Sequence, residues 1–260
     1  LILALAVTTI PPRTTFGQPA RTVVTVVRAA RLIDGTGAPP ITPGMVRIEG
    51  ERIVAVGTSV PVPPGAIVLD LGDATLMPGL IDAHSHPLIT VDDYQTDHLK
   101  HSSAYKALRG LKAVQDNLRA GWTTLRIAGD ADVAYAVTDL RKAIDGGLFL
   151  GPRLSGAAPY LSTTGGGGDI NFLAPEVHVA ADGRIADGVD EVRKAVREEI
   201  KYGSDWVKLL VTGAFMSAGD RPQDVHFSPE ELRVAVDEAK RHGVPVMAHA
   251  HATEGIKAAI

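Results

Sequence analysis

The sequence predicts an α/β fold: an incomplete (β/α)8 TIM-like barrel of about five βα units, preceded by a small β-sandwich-like domain. Three observations carry this reading. After Leu76, apolar strand-like runs alternate with amphipathic helix-like runs. Between Arg21 and Thr75 the runs are instead short, β-branched and separated by Gly, Pro and Asp. No Gly-rich dinucleotide fingerprint accompanies the alternation, which favours a barrel over a doubly wound sheet.

Taken in order, Leu1 to Ile10 is an apolar decamer of the length of a signal-peptide core, followed by a polar, proline-rich break with GQPA at 17 to 20 as the cleavage candidate. Residues 1–20 therefore read as leader and linker, and export to the periplasm or outside the cell is expected. A buried first strand in a cytoplasmic protein is the alternative. Residues 21–75 carry three β-like segments, TVVTVVRAARLID (22 to 34), MVRIEGERIVAVG (45 to 57) and AIVLDLGDATL (66 to 76), read as antiparallel strands and hairpins.

From residue 76 to 260 the alternation begins. Strands are expected at Leu76 to His84, Trp122 to Ile127, Arg153 to Ala158, Trp206 to Val211 and Val244 to Ala248. Helices are expected at Ser103 to Ala120, Val133 to Gly146, Val189 to Tyr202 and Pro229 to His242, with another starting at Thr253. A full barrel takes about 250 residues and eight strands, whereas 184 residues run from Met77 to Ile260. Further strands are thus expected beyond Ile260. The long segment Leu161 to Gly188, with TTGGGGDIN, reads either as a functional loop or as a flexible surface insertion.

Composition narrows the function. The chain is 45% hydrophobic and 22% charged, with a formal net charge of -4. That balance suits a folded protein with a sizeable core and lacks the basic excess of a nucleic-acid binder. No run approaches the roughly 18 apolar residues of a membrane span. Cysteine is absent, so a metal site must use His, carboxylate or a modified side chain.

Function in a barrel collects where strands end, and four metal-competent groups fall there. His84 and His86 close the first strand; at i, i+2 they project from one face of it. Lys208 lies within the apolar run Trp206, Val207, Leu209, Leu210, where an ammonium is costly unless paired. One solution is a salt bridge to a carboxylate. Another is loss of the proton, after which the neutral amine can capture carbon dioxide as a carbamate whose two oxygens bridge two cations. His249 closes the fifth strand and shares an i, i+2 spacing with His251. Taken singly, each of these has a bland reading as a loop or core residue; their joint placement at strand ends favours a site.

The motifs LIDGTG (32 to 37), LMPGLIDAHSH (76 to 86), GWTTLR (121 to 126), DWVKLLVTG (205 to 213), FSPEELRVAVDEAKRHGVPVMAHAH (227 to 251) and TEGIKAAI (253 to 260) resemble the amidohydrolase superfamily. Within it they resemble the branch of Xaa-Pro and Xaa-Arg dipeptidase-like enzymes and ochratoxin-hydrolysing amidohydrolases. The resemblance implies His84 and His86 as ligands of the more buried metal, Lys208 as a carboxylated bridging lysine and His249 as a ligand of the second metal. It also implies a further histidine and an acid/base aspartate beyond Ile260, so that residues 1–260 alone are expected to be inactive, and a homo-oligomer. Two divalent ions, zinc by default, and carbon dioxide on Lys208 are the implied cofactors. His251 and Tyr160 are candidate substrate-binding residues by position.

Two departures bear on substrate choice. Branch members often have a histidine where Gly167 stands in Gly166, Gly167, Gly168, Asp169, and many have an aspartate where Ile127 follows Arg126. The expected activity is hydrolysis of the amide bond of a dipeptide or N-acyl amino acid. A mononuclear cyclic-amide hydrolase of the imidazolonepropionase kind and a non-catalytic binding module or inactive fragment are the alternatives.

Overall fold

A computed structural model describes residues 22–260; the expected leader and its GQPA candidate lie outside the described residues. The chain separates into two units between Pro78 and Gly79.

In the first unit, β1 (Val24–Ala29) is flanked by β3 (Gly44–Glu49) on one side and β5 (Ile67–Asp70) on the other, with β4 (Arg52–Gly57) outside β3. Short β2 (Arg31–Leu32) and β6 (Thr75–Leu76) pair separately. The β3–β4 hairpin turns at Gly50, whose φ of 58° suits a residue without a Cβ. The expectation of antiparallel pairing holds for β1–β3 and β3–β4 and is corrected for β1–β5 and β2–β6, which are parallel. Apolar alternation fixes that a strand exists and which face it buries, but carries no information on the direction of its partner.

The second unit opens with β7 (Leu80–Ser85). The single strand expected from Leu76 to His84 is thus two, β6 and β7, because Pro78 between them has no N–H to give a ladder. β7, β8 (Trp122–Asp130) and β9 (Arg153–Pro159) pair in parallel in that order. After Tyr160, the short β10 (Leu161–Ser162) pairs with β11 (Arg184–Ile185) and with β12 (Val207–Leu210), which pairs with β13 (Val246–His249), again all parallel. Backbone bonds from Asp205 N and Trp206 N to Gly156 O, at 3.1 and 3.3 Å, join β9 to the start of β12. Five consecutive parallel strand positions follow, as the alternation predicts.

Helices cross between the strands. The sequence reading missed α1 (Tyr94–Lys100), whose seven residues are too few to show a period. α2 (Ser103–Arg119) starts at Ser102, whose hydroxyl accepts from Tyr105 N. α3 (Ala136–Asp145) starts three residues later than expected, because Tyr135 holds a φ of 62° and Asp132 accepts from Ala136 N at 3.0 Å. α4 (Gly188–Tyr202) stops at Gly203, with φ 104°, and α5 (Pro229–Arg241) carries a Ser228/Glu231 capping box with Pro229 in its first turn. α6 (Thr253–Ala259) follows β13. One apolar cluster packs β8 against α2 and α3 around Val114, Leu125 and Leu140; a second packs β12 against α4 and α5 around Val196, Leu209 and Ala235.

One carboxyl inside this packing gives a pH dependence. Glu199 of α4 is fully buried; it accepts from Tyr135 Oη at 3.0 Å and Ser204 Oγ at 2.7 Å, and burial pushes it up to about 8. The folded chain therefore keeps a proton that the unfolded chain releases near the ordinary value of 4.5. Its contribution is present below pH 4.5 and is lost as pH rises towards 8. Glu199→Gln keeps the shape and removes the ionisation. Urea melts of this variant are expected to match the parent near pH 5 and to show higher stability at pH 8.

Candidate metal centre

The C-terminal ends of β7, β8, β12 and β13, with Tyr160 following β9, surround a cavity of about 370 Å³. His84, His86, Lys208 and His249 line it, as do His251 and Tyr160, so every site residue read from the sequence reaches this one space. A register irregularity between Asp82 and Ser85 marks the end of β7, and Asp82 Oδ1 accepts from His84 N at 2.9 Å. The two rings converge there, with Nε2 of His84 and Nε2 of His86 3.1 Å apart. His86 turns its other nitrogen, Nδ1, to Gly129 O at 2.6 Å. His249 Nε2 lies 3.1 Å from Gly213 O, and its ring meets that of His251 edge-on at 4.4 Å.

Lys208 is 2% exposed and forms no hydrogen bond or ion pair with the described residues. Of the two solutions the sequence left open, the salt bridge is not formed with any of the described residues. Burial alone pulls its amine down to about 8. None of the described residues lining the cavity is a carboxylate. Burial, together with the neighbouring Lys208, lowers His84; His86 and His249 are brought down to about 4, with burial the first cause. All three imidazoles are thus neutral at pH 7, the form in which histidine donates to a metal.

A fit test for an ion follows from these atoms. Two nitrogens each about 2.0–2.1 Å from one tetrahedral ion stand roughly 3.3 Å apart, close to the 3.1 Å between the His84 and His86 Nε2 atoms. Among the described residues no three His, Asp or Glu side chains form a preassembled cage. The remaining donor in the cluster is the lysine amine, which gives nothing to a cation as an ammonium and two oxygens as a carbamate. The residues present fit a metal centre on that condition.

The cavity wall contains groups the sequence reading missed. Tyr94 Oη lies 3.0 Å from Ser217 Oγ, which donates to Gly167 O at 2.7 Å. Tyr160 Oη donates to Asp182 Oδ1 at 3.0 Å. Gln95, 3% exposed, ties these loops together: its amide donates to Asp182 Oδ2 and Asp169 O, each at 2.9 Å, and accepts from Ala218 N at 3.2 Å. The two ends of the Leu161 to Gly188 segment, 161–170 and 182–186, are therefore packed into the wall, whereas its middle, 172–180, is mostly exposed. Gly166, Gly167 and Gly168 are buried, and a Cβ on Gly167 would stand 3.0 Å from Asp220 Oδ2 and 3.2 Å from Ser217 Oγ. Ile127, by contrast, is 3% exposed within the β8–α2–α3 core. The departure there lies on the helix side of the strand, and its expected bearing on substrate choice is corrected.

A parallel α/β unit with a histidine and lysine cluster at its strand ends is the arrangement in which a (β/α)8 barrel gathers its functional groups. The sequence profile of the Amidohydrolase family matches residues 75–260, and the chain belongs to that family. Ochratoxinase from Aspergillus niger is 35% identical over 258 residues, an alignment covering 91% of this chain and 52% of the relative. The crystal structure of A. niger ochratoxinase matches with a TM-score of 0.79 at 33% identity, covering 92% of this chain and 58% of that one. A Xaa-Pro dipeptidase with methionine bound in its active site gives a TM-score of 0.80 at 30% identity, covering 91% and 59%. The shared fold is the α/β TIM-like barrel. The chain spans about half the length of the curated ochratoxinase it matches.

Proposed function

We propose that the protein is a binuclear metal-dependent amidohydrolase that cleaves the amide bond of a dipeptide or N-acyl amino acid. The observation that carries this reading is the buried Lys208 amine, unpaired with any described residue, in a cavity also lined by His84, His86 and His249. In this reading His84 and His86 would hold one divalent ion, His249 would contribute to a second, and Lys208 as a carbamate would supply oxygen donors to both. Bound divalent ions lower the pKa of water to about 7 and polarise the scissile carbonyl. The chain's own residues would supply the rest. Neutral imidazoles would donate without first losing a proton, Tyr160 and His251 line the cavity that the substrate would enter, and Ile89, Leu210 and Phe215 give that cavity an apolar wall.

The relatives include a Xaa-Pro dipeptidase, whose name denotes an amide substrate, which supports a bond of that kind. Metal content measured after equilibration with Zn2+ in bicarbonate buffer is expected to reach two equivalents. A reproducible single equivalent favours the mononuclear cyclic-amide reading. No binding leaves the chain a non-catalytic module.

A further inference from the structure

We propose that Gly129, at the end of β8, is the positioning residue of this centre: it fixes which nitrogen of His86 faces the cavity and how closely Lys208 approaches β8. The inference rests on the reading of His86 as a metal ligand. Three observations meet at this glycine. Its φ is 83°, a left-handed conformation that side-chain-bearing residues adopt only under strain. Its carbonyl lies 2.6 Å from His86 Nδ1. A Cβ built on it would lie 2.9 Å from Tyr160 Cβ and 3.1 Å from Lys208 Cγ, closer than carbon atoms pack.

The consequences run through His86. A carbonyl can only accept, so Nδ1 carries the hydrogen and donates it, and Nε2 keeps its lone pair. That Nε2 is the atom 3.1 Å from Nε2 of His84. A ligand histidine whose far nitrogen is held by a carbonyl has its tautomer and ring plane fixed before any ion arrives. The neighbouring residue adds a second restraint. Asp130, fully buried, accepts from Leu88 N through both oxygens at 3.2 and 3.0 Å, so the turn that follows His86 is tied to the same strand end. Ile89 N donates back to His86 O at 3.1 Å and closes that turn.

An alanine at 129 both strains the backbone that aims this carbonyl and drives a methyl group against the stem of Lys208. Loss of such an outer partner typically costs 10–100-fold in metal affinity.

Two measurements test the proposal. Long-range 1H–15N NMR of the imidazole rings in the metal-free protein is expected to show His86 as the Nδ1–H tautomer. Titration with Co2+, followed by calorimetry and visible absorption, is expected to show about ten- to hundredfold weaker binding in Gly129→Ala, with the far-ultraviolet circular dichroism of the parent. His86 found as the Nε2–H tautomer, or a folded Gly129→Ala that binds Co2+ as the parent does, overturns it. Should Gly129→Ala fail to fold, the tautomer in the parent protein still decides. A parent that binds no Co2+ removes the metal-ligand reading itself, while the tautomer continues to report on the Gly129–His86 link.

Discussion

Lys208→Met is expected to remove bridging of two ions and, at the same time, to make the metal-free chain more stable. The two effects have one origin. A methionine fills nearly the volume of the lysine stem, so the packing of β12 between its neighbours is retained. What disappears is an amine that no described residue bonds and that burial pulls down to about 8, so its charged form carries a cost at this position. The parent tolerates that cost in a strand whose residues Val207, Leu209 and Leu210 are all buried. A gain in the urea midpoint of the metal-free variant, together with a fall from two equivalents of Zn2+ to one or fewer, is the expected pair of results.

The pairing matters because each half excludes a different account. A lysine kept for packing or for a hidden ion pair gives a destabilised variant with unchanged metal content. A lysine irrelevant to a single-ion site gives unchanged metal content at one equivalent, and the binuclear reading then falls. Only a side chain whose nitrogen is costly in the empty protein and needed in the loaded one gives stabilisation with loss of metal.

Why this lysine is visible in the sequence and its surroundings are not is a matter of range. A charged residue inside WVKLLV contradicts the strand around it, and the contradiction is local. His84 and His86 are similarly local, since period two puts them on one face even where the pairing of β7 is irregular. The five longer parallel strands of the second unit, β7, β8, β9, β12 and β13, follow from apolar runs alternating with helical periods, and neighbours among them are consecutive along the chain. The wall of the cavity has no such signal. Gln95, Asp169, Asp182 and Ala218 are brought together only by the closure of three separate segments, and no spacing encodes that. The parallel pairing of β1 with β5 is hidden for the same reason: a strand's pattern gives its faces, while its partner is chosen by the path of the intervening chain. Gly129 carries a weaker trace, a glycine at a strand end, which acquires meaning only when His86, Tyr160 and Lys208 are seen around it.

A loss of stability is expected instead from Lys106→Met, in α2. Lys106 and Asp132 are 2% and 4% exposed and lie 2.9 Å apart. The ammonium also donates to Ala131 O and to His98 Nδ1, each at 2.9 Å, so His98 carries its proton on Nε2 and turns it towards Ala180 O. Asp132 in turn accepts from Ser103 Oγ at 2.9 Å and Ala136 N at 3.0 Å. Removing the lysine leaves a buried carboxylate with two neutral donors and no cation, a change that typically costs about 3–5 kcal/mol. Asp132→Asn in the same chain removes the stranded charge, so the double variant is expected to recover part of the loss; a double-mutant cycle in urea measures the coupling. Because Asp132 N donates to Asp130 O at 2.9 Å, and Asp130 holds the turn after His86, the loss is also expected to reach the site. Lys106→Met should weaken Co2+ binding, whereas Lys106→Met with Asp132→Asn should restore affinity together with stability. Restored stability without restored affinity would instead mean that the ion pair itself, and not merely a neutral buried contact, holds the end of β8 in place.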